Sequence, residues 1–97
     1  MTQHADEAIQ AEVLDLLLMG PETTAALAAM LDETTESQVL KSHPSVYSGV
    51  SKATSQLERE NLIRKSAHFR DNWELTDHGT ARARLSDLTK DESLDND

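Results

Sequence analysis

Ninety-seven residues, 37% of them apolar, suffice for one modest hydrophobic core. Nine cations stand against 18 anions, a net charge of −9, and the absence of cysteine excludes a disulfide framework and a thiolate metal site. No apolar run approaches the roughly 18 residues of a membrane span, and the acidic start MTQHADEAIQAEV lacks the basic region of a secretory signal, so a cytoplasmic protein is expected.

The first expected helix covers residues 6–19. Ile9, Val13, Leu16 and Leu17 form its inner face, and Leu18 and Met19 widen it. Asp6, Glu7, Glu12 and Asp15 cover the outside, with the first acids in a turn that the helix dipole favours. Gly20-Pro21 ends it. Thr23 or Thr24 caps a second helix, TAALAAMLD, with Leu27, Ala28 and Leu31 inward. The 12 residues Asp32–His43 follow as an insertion; within it Glu36–Lys41 can form a short helix with Val39 and Leu40 inward. Ser42-His43-Pro44 breaks that helix, and Pro44 suits the first turn of the next.

Residues 44–60 form the most informative helix. Val46, Val50, Ala53 and Leu57 recur at i, i+4, i+7 and i+11, the stripe of one buried face. At ~100° per residue, Ser48, Ser51, Lys52, Ser55 and Arg59 fall on the opposite face, with no acid before Glu58. Asn61 tolerates the left-handed conformation that closes a helix. Strands follow at 62–67 and 73–75, joined by His68–Asn72, with Arg70 at the tip. Ile63 opposite Leu75 or Trp73 seals the hairpin base, and Trp73 belongs to the core. Thr76 caps a last helix with Asp77 in its first turn and Ala81, Leu85 and Leu88 inward. The expected organisation is an N-terminal extension at 1–5, one domain at 6–88 and an acidic disordered tail at 89–97, within a mainly α, α+β fold.

Charge is unevenly spread. Residues 1–40 hold eight acids and no Lys or Arg, residues 41–84 sum to +3, and residues 85–97 sum to −4. An acidic chain with few lysines and many Ala and Thr resembles haloarchaeal proteins, in which surface acid maintains hydration and salt screens self-repulsion.

Three fragments carry a further resemblance. Leu57-Glu58-Arg59-Glu60-Asn61-Leu62-Ile63 reads as L-E-x-E-x-L-I, Leu75-Thr76-Asp77-His78-Gly79 as L-T-x-x-G, and Thr24-Ala25-Ala26-Leu27-Ala28 as the opening of a positioning helix. Their order is similar to that of winged helix-turn-helix regulators, of which the MarR-like and PadR-like families are nearest. The likeness spans about residues 6–88 and departs at Asn61, where Gly is commonest, and at insertion 32–43, where those families have a short turn.

The resemblance implies three helices, a two-stranded wing and a C-terminal helix. It also implies a homodimer on double-stranded DNA, with the recognition helix at about 44–60 in the major groove and the wing at about 62–75 on the flanking groove. Ser48, Ser51 and Ser55 are the expected base-reading hydroxyls, Lys52 is an expected phosphate contact, Arg70 is expected to enter a minor groove or clamp a phosphate, and Arg59 and Lys65 are further expected DNA contacts. Arg64 and Lys65 alternate across a strand, so only one can face DNA. Tyr47 stands between two readings, a backbone contact or a cover for the core edge.

The competing function is a winged-helix module that binds protein and no DNA, which the net acidity favours. Catalysis is not expected: there is no nucleophile–base pair, inward carboxylate dyad or Gly-rich loop. His4, His43, His68 and His78 lack metal-ligand spacing, and no cofactor or small-molecule ligand is indicated.

Overall fold

Four apolar residues at helical spacing, Ile9, Val13, Leu14 and Leu17, give one helix a fully buried face, and the other elements gather on it. The computed structural model describes the backbone of residues 2–85 and the side chains of residues 6–85; the expected Leu88 contact and the 89–97 tail lie outside them. The order is α1 (Thr2–Leu17), β1 (Glu22–Thr23), α2 (Thr24–Met30), α3 (Glu33–Ser42), α4 (Val46–Arg59), β2 (Ile63–Lys65) and β3 (Asn72–Leu75). A last helix, α5, occupies residues 77–85. The described chain is mainly helical with a small antiparallel sheet.

α1 starts four residues before the expected boundary, so Asp6 and Glu7 lie in its second turn rather than its first. Its buried face includes Leu14, while Leu16 is only half-buried and Met19, beyond the helix end, is 75% exposed. Gly20 leaves the helix at φ 141°, a conformation that side chains rarely adopt. Thr23 is the cap of α2: its hydroxyl accepts from the Ala26 N–H at 3.1 Å.

The insertion is a whole helix, longer than the expected 36–41. Its signals are caps and charge rather than periodicity. Asp32 accepts from the Thr34 N–H, Glu33 and Glu36 occupy the first turn, and Lys41 occupies the last. Glu12, expected on the outer surface of α1, is half-buried instead. Its carboxylate accepts from the Asp32 N–H and, at 2.7 Å, from the Thr35 hydroxyl, tying α1 to the start of α3. The inward residue of α3 is Val39, whereas Leu40 is 53% exposed because it lies ~100° around the helix.

The sheet has three strands in the order β1-β3-β2, not two. Glu22 pairs with Trp73, and Ile63 pairs with Leu75. At the far end Thr76 accepts from the Gly79 N–H at 3.0 Å and so caps α5. The inward residues of α5 are Gly79 and Ala83, not Ala81 and Leu85. Small residues face inward because α5 lies directly on the Leu62 backbone, and a Cβ at position 79 would strike the Leu62 carbonyl.

Candidate nucleic-acid interface

α4 is set by its two ends and its buried stripe. Ser45 is the N-cap, with its hydroxyl accepting from the Ser48 N–H at 3.1 Å, so Pro44 lies just outside the helix rather than in its first turn. Asn61 takes φ 63°, and the N–H groups of Asn61 and Leu62 donate to the carbonyls of Glu58 and Leu57, both at 3.0 Å. This double closure is a Schellman motif. Val50, Ala53, Thr54 and Leu57 are buried between the ends. The buried Thr54 hydroxyl donates to the Ser51 carbonyl at 2.9 Å, which meets its need for a partner.

With that stripe inward, the opposite face of α4 is held outward. Tyr47 is 55% exposed, Lys52, Ser55 and Arg59 are exposed, and Ser48 and Ser51 are half-buried. Six of the eight expected site residues therefore share one helix. The preceding helix, α3, ends at Ser42, and three residues, His43-Pro44-Ser45, connect it to α4. Gly49 makes this helix pair close: a Cβ there would meet Val39 and the His43 ring.

Lys52 is not the unneutralised cation that its own helix suggests. Its ammonium lies 3.4 Å from Asp6 of α1, which also meets the His43 Nε2 at 3.2 Å. The pairing joins residues 46 positions apart, beyond the reach of local pattern. Lys52 stays 64% exposed, and an exposed pair of this kind is worth roughly 0–1 kcal/mol, so it leaves Lys52 free to exchange partners.

The remaining two site residues stand on the hairpin. Lys65 is exposed, and its ammonium lies 4.1 Å from the centre of the Trp73 ring. Trp73 is buried, as expected, and its indole N–H donates to Thr24 at 2.9 Å. On the other face Arg64 pairs with Glu74 at 2.8 Å. The hydrogen bond from the guanidinium holds the Glu74 carboxyl below its usual range, against a smaller opposing push from burial. Lys65 is thus the strand cation without a carboxylate partner among the described residues.

Arg70 is exposed in the loop between β2 and β3. Ser66 organises that loop, its hydroxyl accepting from the N–H groups of His68 and Phe69, both at 3.1 Å. Asp71 closes it at φ 64°. Neither Arg59 nor Arg70 has an ion pair among the described residues. Phe69, which did not figure among the expected site residues, is 57% exposed beside Arg70.

Chemically, the arrangement offers one helix face of hydroxyls and cations together with two hairpin cations. Among the described residues no group of His, Asp or Glu is placed to hold a metal ion, and no helix is long and apolar enough to cross a membrane. A scan against protein-family models and searches of curated proteins and of solved structures found no match to this chain.

Proposed function

We propose that the protein is a winged helix-turn-helix, sequence-specific regulator that binds double-stranded DNA as a homodimer. In this reading α4 enters the major groove and the β2–β3 hairpin, as the wing, lies on the flanking groove. The observation that carries it is the pair α3–α4: two helices joined by three residues, of which the second turns Tyr47, Ser48, Ser51, Lys52, Ser55 and Arg59 outward. A connection of about 3–4 residues is what a helix-turn-helix uses. The expected 12-residue interruption between positioning and recognition helices disappears once α3, rather than α2, takes the positioning role.

Hydroxyls accept or donate at base edges, and Lys and Arg neutralise phosphates. The net charge of −9 opposes DNA as a whole, but at a Debye length of about 10 Å in 0.1 M salt the local face decides. The second reading, a winged-helix module that binds protein, draws support from that acidity and from the Asp6 carboxylate beside Lys52.

An electrophoretic mobility titration at two salt concentrations separates them. It compares wild type, Lys52→Ala and Arg70→Ala on the DNA upstream of the protein's own gene and on a scrambled duplex. Wild type is expected to prefer its own upstream DNA. Both variants are expected to weaken binding to the two duplexes alike; Arg70→Ala should lower the salt slope by about one counterion, and Lys52→Ala by less, because Asp6 already shares the Lys52 charge. Equal, weak binding by all three proteins to both duplexes would favour the protein-interaction reading.

A further inference from the structure

The Asp6 carboxylate stands at the junction of three helices. It projects from the second turn of α1 and is 24% exposed on its side chain. One oxygen meets the ring nitrogen of His43, the residue that closes α3, and the other meets the ammonium of Lys52 on α4. His43 has its ring nearly buried, at 10% exposure, and its backbone N–H donates to the Val39 carbonyl, so it has little freedom to follow a ligand outward. Lys52, on a flexible stem in a groove that also includes Glu7, Gln56 and Glu60, can; of the three acids there only Asp6 lies within ion-pair distance of its ammonium. The acid is therefore anchored on one side and paired with a movable cation on the other.

We infer that Asp6 is an internal anion that competes with DNA phosphate for Lys52 and so holds down affinity for DNA of any sequence. The inference rests on the DNA-binding reading above. A phosphate oxygen approaching Lys52 meets a carboxylate already at the ammonium. Binding through Lys52 requires either that the pair open or that two anions share one cation. Either cost falls on backbone contacts alone, because Asp6 faces Lys52 and His43 rather than the serines of α4. The cost also depends on salt, since the repulsion reaches about 10 Å at 0.1 M and about 3 Å at 1 M. Asp6 is thus a positioning residue that acts through Lys52, raising the share of discrimination borne by base contacts.

The test is Asp6→Asn, which keeps the side-chain shape and a hydrogen-bonding group for His43 while removing the charge. Asp15→Asn serves as the control. It removes an equal charge from the same helix, nine residues further on, ~14 Å along the axis, and Asp15 contacts neither His43 nor Lys52. Each protein is titrated with its own upstream DNA and a scrambled duplex from about 0.1 to 1 M salt, and a thermal melt confirms folding.

Asp6→Asn is expected to tighten binding to both duplexes roughly 2- to 5-fold at low salt, with the salt slope steeper by up to about one counterion and the gain fading at 1 M. Asp15→Asn should change affinity less than twofold, and Asp6→Asn/Lys52→Ala should lose most of the gain. A role for Asp6 in stability alone would move the melt and leave the salt slope untouched. If wild type binds its upstream DNA and Asp6→Asn binds no tighter, the competition is refuted and the DNA-binding reading stands. If neither binds either duplex, the DNA-binding reading fails and takes the inference with it. If Asp6→Asn/Lys52→Ala keeps the full gain, Asp6 does not act through Lys52 and the inference is wrong.

Discussion

Gly79 rests on the backbone carbonyl of Leu62, so close that a Cβ at position 79 would overlap the oxygen. The same carbonyl accepts the Thr76 N–H at 3.0 Å, and the Asn61 carbonyl accepts the Thr76 hydroxyl at 2.7 Å. The end of α4 and the start of α5 are therefore one structure, with the left-handed turn at Asn61 as its hinge pin.

Gly79→Ala should consequently destabilise the fold strongly. The neighbour that would have to give is backbone, and its displacement breaks the Thr76 hydrogen bond. A loss of about 3 kcal/mol, the upper end of overpacking costs, is expected. For a domain of this size that lowers Tm by more than about 10 °C. A melt within a few degrees of wild type would show that α5 can slide off Leu62 at little cost.

Gly49→Ala tests the α3–α4 contact. Its Cβ would meet the Val39 side chain and the His43 ring. Val39 is fully buried and stiff at χ1, so it yields poorly. Helix propensity returns up to ~1 kcal/mol on replacing Gly by Ala, which leaves a net loss of about 1–2 kcal/mol. Thermal melts should rank Gly49→Ala between wild type and Gly79→Ala. A Gly49→Ala protein more stable than wild type would mean that Val39 and His43 rearrange freely, and that α3 is loosely held.

Both glycines are set by neighbours on other elements, whereas much of the fold is carried by local pattern. The stripe Val46–Leu57, the closing Asn61 and the Thr76 cap are local, and each follows from period, conformation or capping chemistry, whereas the strand pattern left Leu75 and Trp73 as alternative partners for Ile63, of which the register takes Leu75. β1 was not legible, since two residues, Glu22 and Thr23, show no alternation and their partners lie some 50 positions away. The inner face of α5 departs from the Ala81–Leu85 pattern because close approach to Leu62 demands the small residues Gly79 and Ala83. α3 buries Val39 and little else, so only its caps announce it. On the candidate site, the outward set of α4 was legible from its buried stripe, whereas the partner of Lys52 comes from another helix.

The charge distribution predicts a response to salt. Six acids on the described side chains of α1 and α3, Asp6, Glu7, Glu12, Asp15, Glu33 and Glu36, face a single cation there, Lys41. Within the whole chain the imbalance is −9. Screening that shortens the reach of charge from about 10 Å to about 3 Å should relieve more repulsion than it removes from the Lys52–Asp6 and Arg64–Glu74 pairs. Tm is expected to rise between about 0.1 and 1 M potassium chloride. A flat or falling Tm would remove the likeness to haloarchaeal proteins as an explanation of the acidity.

Ser48, Ser51 and Ser55 should decide which DNA sequence the protein prefers. All three share the outward face of α4, yet they differ in freedom: Ser55 is exposed, whereas Ser48 and Ser51 are half-buried near the start and middle of the helix. In the DNA-binding reading the cations supply affinity without sequence information, and the serines supply discrimination. Replacing a serine that meets a base should cost ~1–3 kcal/mol at one base pair and little at the others. In concentrated salt the drive from counterion release shrinks, so these direct contacts should account for a larger share of binding there. The measurement is binding of wild type, Ser51→Ala and Ser55→Ala to a randomised duplex pool at low and high salt, followed by sequencing of the bound fraction. A changed preference confined to one or two positions is the expected outcome, sharper at high salt. A uniform loss over all sequences would instead assign the serines to the phosphate backbone. An unchanged pool for both variants would remove α4 from the base-reading role.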